Sequence, residues 1–129
     1  MSTLVQEINK LMCDLSESIG GNITARFIFP SDFSGFKGHF PGRPILPGVC
    51  KIQAVMAMLE IWHQKNICIK EISTAKFFAP VFDNQEIVVT TNTLPGLPET
   101  SGETKIKASV TSNGKKISDL HLILSVFSG

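Results

Sequence analysis

Residues 49–65 place Val49, Cys50, Ile52, Ala54, Val55, Met56, Ala57, Met58, Leu59, Ile61 and Trp62 on nearly every side of a helix. A surface helix shows one apolar stripe, whereas a helix apolar all round has to be buried all round. The rest of the chain must therefore wrap it. From residue 67 onward the hydrophobic period changes to two, which predicts strands over 67–78, 86–93, 105–111 and 117–127. Residues 23–29 (ITARFIF) alternate in the same way, and Pro30 closes that strand. Asn113-Gly114 is a hairpin turn, while residues 94–98 (LPGLP) form an irregular loop. Upstream, Leu4, Ile8, Leu11, Met12 and Leu15 recur at helical spacing, predicting a short amphipathic helix ended by Gly20-Gly21-Asn22. The expectation is an α+β domain, an antiparallel sheet of about five strands wrapped around a long central helix. So few strands cannot cover the helix and bury their own edges, so a second copy is expected to complete the core as a homodimer.

The 129 residues suffice for a single domain, expected to span 1–129. A net charge of +1 without blocks of like charge gives phosphate backbones nothing to pull on, which argues against nucleic acid. No secretory leader pattern opens the chain and no apolar run reaches membrane-span length, so a cytoplasmic protein is expected. Cys13, Cys50 and Cys68 are too scattered for a disulfide framework and are read as reduced thiols. His39, His63 and His121 are too dispersed for a metal motif, so no metal is expected. His63, at the helix end, is read as a terminal cap or dipole partner, and His121 as a surface residue.

The segment that carries chemistry is HFPGRPILPG, residues 39–48, directly before the apolar helix. Prolines 41, 44 and 47 fix φ at three sites, a stiff polyproline II-like loop holding the His39 imidazole beside a helix N-terminus. Gly48 permits close backbone approach there, so a ligand oxygen can meet free N–H groups and the positive end of the dipole. His39 is thus a candidate base and Gly48 a candidate oxyanion donor.

With the longer run DFSGFKGHFPGRPILPGV at 32–49, the chain resembles the hotdog-fold β-hydroxyacyl-acyl-carrier-protein dehydratases, whose signature is GHFPxxPxxPGV. The run AKFFAPV at 75–81 looks like that family's substrate-tunnel strand, although Asp83-Asn84 stands where Pro-Gly-Asp is expected. The resemblance implies a hotdog fold, His39 as a catalytic residue, and a tunnel shaped by Phe40, Pro47, Val49, Phe77 and Phe78. It implies no cofactor. It implies a dimer in which His39 of one chain faces the second catalytic position of the other. That position is a glutamate or aspartate fourteen residues after the histidine, and here it is Gln53. An amide cannot deliver a proton at neutral pH, and Gln53 is equally open to a reading as a buried amide with a structural partner. Glu60 is seven residues farther along the helix, roughly 10 Å away, too far to substitute. The family's N-terminal edge strand has no counterpart in the sequence, so that edge is missing or rebuilt.

The resemblance also implies a substrate tethered through 4'-phosphopantetheine to an acyl carrier protein. Such carriers are acidic, which makes Lys37, Arg43, Lys51 and Lys76 candidate docking cations, ordinary solvated charge being the alternative. Three functions remain open: a dehydratase in fatty-acid, specialised lipid or polyketide synthesis; a non-catalytic acyl-binding subunit paired with an active homologue; and, with less support, a thioesterase on the same fold.

Overall fold

The computed structural model describes residues 3–18, 20–37, 44–92 and 102–127. Helix α1 (Thr3–Leu11) leads into strand β1 (Met12–Glu17), followed by β2 (Ile23–Ile28) and a 3-10 turn at Ser34–Phe36. Helix α2 (Gly48–His63) precedes β3 (Asn66–Phe77), β4 (Glu86–Asn92), β5 (Gly102–Ser112) and β6 (Lys115–Phe127). The six strands form one antiparallel sheet in the order β1-β2-β4-β5-β6-β3. Alternate residues of β2, β4, β5 and β6 point inward, and Phe27, Val89, Val110, Leu120, Leu122 and Leu124 are almost fully buried. Against them lies α2, whose apolar residues from Cys50 to Leu59 are buried. The burial of this all-apolar helix is what draws the sheet around it. Its ends differ: Val49, Ile61 and Trp62 are exposed.

The N-terminal region departs from expectation. Met12 and Leu15 belong to an edge strand rather than to the helix, with Met12 opposite Phe27 and Glu17 opposite Ile23. The register shifts between Cys13 and Ser16, and Asp14 has φ 55°. A bulge adds one residue to a strand, so two residues on one face stand three apart instead of two. Met12 and Leu15 both pack on the core that way, and the spacing imitates a helix. The edge that the sequence appeared to lack is therefore rebuilt as this short strand, giving six strands rather than five.

The hairpin falls where expected: Asn113 and Gly114 have φ of 52° and 79°, and Ser112 pairs with Lys115. Asn84 also has positive φ, 62°, and its N–H bonds the Phe29 carbonyl at 2.8 Å. Asparagine thus takes the left-handed position that glycine would otherwise fill.

Candidate active site

The start of α2 is positioned from both sides. Upstream, the rings of Phe27, Phe29, Phe33 and Phe36 follow one another at centroid distances of 5.9, 4.8 and 5.6 Å, carrying the core from β2 to the 3-10 turn. Gly35 lies against the Phe33 ring and the Cys50 thiol, where a Cβ has no room. The Glu7 carboxylate of α1 accepts the Ser34 N–H at 3.2 Å and the Ser34 hydroxyl, and these bonds hold its pKa below the usual carboxylate value. Downstream, Ile45 bridges to Phe82, and the Leu46 N–H bonds the Val81 carbonyl at 2.8 Å. These contacts set Pro47 and Gly48 against the segment that follows β3.

Between the two lies an open cavity of about 410 Å³, its walls made by Ile45, Leu46, Pro47, Gly48 and Lys51 on one side and by Phe77, Phe78, Ala79 and Pro80 on the other. Pro47 is the N-cap of α2 with φ −61° and ψ 148°, and among the described residues no side chain caps the helix. Among the described residues the N–H groups of Gly48 and Val49 have no capping partner and are open to a ligand, whereas that of Cys50 bonds the Pro47 carbonyl at 3.0 Å. A Cβ on Gly48 would stand 2.7 Å from Phe77 Cζ, so only glycine allows that ring to lie against the helix.

The candidate residues are distributed unevenly around this cavity. Gly48, Pro47, Phe77 and Phe78 line it, while Val49 projects outward and is 64% exposed. His39, Phe40 and Arg43 lie outside the described residues. Gln53 is half-buried and makes no hydrogen bond to a described residue. At about 100° per residue, Gln53 shares the helix side of Val49, whereas Lys51 shares that of Gly48. Gln53 is not part of the cavity wall.

Lys51 corrects an expectation. Lys37 and Lys76 are exposed, as docking cations need to be, but Lys51 is only 3% exposed. Its ammonium lies 5.0 Å from the centroid of the Phe77 ring. Burial depresses its pKa, with the Cys50 thiol opposing weakly. A charge in that position cannot steer a partner through solvent. Its place on the cavity wall escaped the sequence reading, although the spacing of three from Gly48 puts both residues on one helix face.

Other titratable groups among the described residues are structural or peripheral. The Cys50 thiol is pushed up to about 11 by burial, far from a reactive thiolate. Glu60 accepts the Ile67 N–H at 3.3 Å and so ties α2 to the start of β3. His63 differs from the expected dipole partner: burial and then Lys65 lower its pKa, favouring the neutral ring, and its Nε2 has no partner among the described residues. His121 is half-buried on β6, opposite Thr74 and Lys107. Among the described residues no cluster of histidine, cysteine or carboxylate side chains could hold a metal ion, and no helix is long and apolar enough to cross a membrane.

Comparison with known proteins identifies the family and the fold. The family model described as ApeI-like, ApeI dehydratase, matches residues 16–115. The 3-hydroxyacyl-[acyl-carrier-protein] dehydratase FabZ of Ehrlichia chaffeensis is 32% identical over 62 residues, 44% of this chain and 43% of that protein's length. Among solved structures, the dehydratase heterocomplex ApeI:P from Xenorhabdus doucetiae superposes with a TM-score of 0.72 at 17% identity, over 88% of this chain and 95% of that one. A putative thioesterase from Shewanella oneidensis gives 0.64 at 12% identity, over 98% and 90%. Both likenesses are those of the hotdog fold.

Proposed function

Because the chain belongs to the ApeI-like dehydratase family, we propose that it removes water from a 3-hydroxyacyl thioester carried by an acyl carrier protein. The observation that carries this reading is the uncapped N-terminus of α2 opening at Gly48 onto a cavity with aliphatic and aromatic walls. An acyl chain is matched by such walls, and a thioester oxygen by free N–H groups at a helix start.

In this reading His39, neutral near pH 7, takes the proton from C2. The C–H electron pair moves into the C1–C2 bond, and negative charge collects on the thioester oxygen, where the Gly48 N–H receives it. The pair then returns to form the C2–C3 double bond as the C3–O bond breaks. The departing hydroxide takes the proton His39 acquired and leaves as water. Gln53 of a partner subunit can orient the leaving hydroxyl but cannot protonate it. No cofactor enters this elimination.

A second reading has its own support. Gln53 lacks the acid, and the ApeI dehydratase of Xenorhabdus doucetiae is described as part of a heterocomplex. This chain would then bind acyl groups beside a homologue that supplies the carboxylate.

The test is to incubate the pure protein with a series of 3-hydroxyacyl carrier proteins and follow the acyl mass. Loss of one water, abolished by His39→Ala in a protein that still folds, is the expected result. Release of the acyl group as free acid would point to a thioesterase. No reaction alone, but dehydration once a homologue bearing the acid is added, would select the second reading.

A further inference from the structure

Helix α2 opens with two positive features and, among the described residues, no anion between them. Among the described residues its first turn has no side-chain cap, so partial positive charge points into the cavity. Lys51, in the same turn, is 97% buried and lines the same cavity. Among the described residues its ammonium has neither an ion pair nor a hydrogen-bond acceptor, only the Phe77 ring face at 5.0 Å. Buried charge without a counter-ion is unfavourable, and the helix dipole adds to the cost because cations are disfavoured at this end. Both penalties fall when a negatively charged oxygen enters.

The position of that oxygen is bounded by contacts. The Phe77 ring fills the space that a Cβ on Gly48 would need, and the Lys51 ammonium lies over the same ring. Gly48 and Lys51 are three residues apart and both line the cavity, so the ammonium lies on the side of α2 on which Gly48 borders it. Gln53 stands about 200° away from Lys51 around the helix. The cation therefore sits on the cavity wall beside Gly48, whose N–H is the proposed receiver of the thioester oxygen, and on the opposite side of α2 from its own chain's Gln53.

We propose that Lys51 is a further catalytic residue, whose ammonium shares with the Gly48 N–H the thioester oxygen of the acyl ligand and holds the negative charge that develops there. The substrate named here rests on the dehydratase reading. Lys51 keeps its proton throughout; the C2 proton still travels by way of His39 to the departing hydroxide. Its contribution is electrostatic, and the low polarity of the cavity walls strengthens it. The lowered pKa has a kinetic consequence: activity should fall at alkaline pH as the ammonium deprotonates.

The experiment uses octanoyl-pantetheine labelled with ¹³C at the carbonyl, which has no 3-hydroxyl and cannot dehydrate. It is bound to wild type, Lys51→Met and Lys51→Arg, and the carbonyl stretch is read by infrared difference spectroscopy. Methionine keeps most of the length of the side chain without its charge, and a melting curve verifies that each variant folds. The band should move to lower wavenumber on wild type and Lys51→Arg, and return toward its solution value on Lys51→Met. With a 3-hydroxyacyl carrier substrate, kcat should drop about 10²- to 10³-fold in Lys51→Met, the range for losing one oxyanion donor. The alkaline limb should move upward in Lys51→Arg, because guanidinium stays protonated. Identical bands in wild type and Lys51→Met, or an unshifted band in wild type, would overturn the proposal. A shifted band in a protein that dehydrates nothing would leave the Lys51 site standing and remove the dehydratase reading. Equal turnover in wild type and Lys51→Met would do the reverse.

Discussion

At the scale of single residues, Lys51 should reduce the stability of the free protein. The folded state disfavours its charged form, so the unfolded chain binds the proton more tightly. Below the depressed folded pKa both states are charged and the desolvation penalty is complete. The penalty is relieved as pH rises through the window that ends at the ordinary lysine value of 10.5. Lys51→Met should therefore be more stable than wild type at neutral pH, by an amount on the order of the 1–4 kcal/mol seen when buried ion pairs are replaced by apolar groups. The gap should narrow in urea titrations carried up to pH 10; a gap that widens with pH would contradict the assignment. Gln53→Glu restores a carboxyl where the family signature has one, and a weak dehydratase rate should rise about 10²-fold, the lower end of acid catalysis. No gain in a folded variant would mean the site operates around the amide. Gly48 was legible because it ends a proline-rich run just before the helix. Lys51 was not, because a lysine on an apolar helix ordinarily extends its charge to water, and only the surrounding walls of Phe77 and Phe78 show that it does not.

At the scale of elements, the start of α2 and the end of β3 meet through one ring. Gly48→Ala would drive its Cβ into Phe77, but Phe77 is 47% exposed and its ring can turn aside. The melting temperature should change little, while the KM for acyl thioesters rises as the displaced ring intrudes on the cavity. A large loss of stability without a change in KM would mean the ring is fixed by the core instead. The long helix and the strands at β2, β4, β5 and β6 could be read from hydrophobic period, because each buries one regular set of side chains. Strand β1 could not. Its bulge between Cys13 and Ser16 converts a strand period into a helical one, and backbone pairing with β2 outweighs the local preference. Strand β3 was found, but its alternation does not translate into burial, since most of its residues are exposed along the sheet edge.

At the scale of the molecule, the exposed face and edge of β3 carry Ile72, Phe77 and, just beyond, Phe78, exposed by 47, 47 and 55%. Twelve residues of open strand with apolar side chains invite another strand, and a second copy of this chain is the expected occupant. Sedimentation should give a dimer at micromolar concentration, and Ile72→Lys should shift it toward monomer. A wild-type monomer would refute the assembly. The opposite edge is unlike it: β1 is six residues long, bulged, and bears Asp14 in an exposed ion pair with Arg26. In the language of polymer chemistry the sheet is then a unit with one reactive end and one blocked end. Joining two reactive ends leaves only blocked ones outside, so growth along the hydrogen-bonding direction stops at two chains and no fibre can propagate.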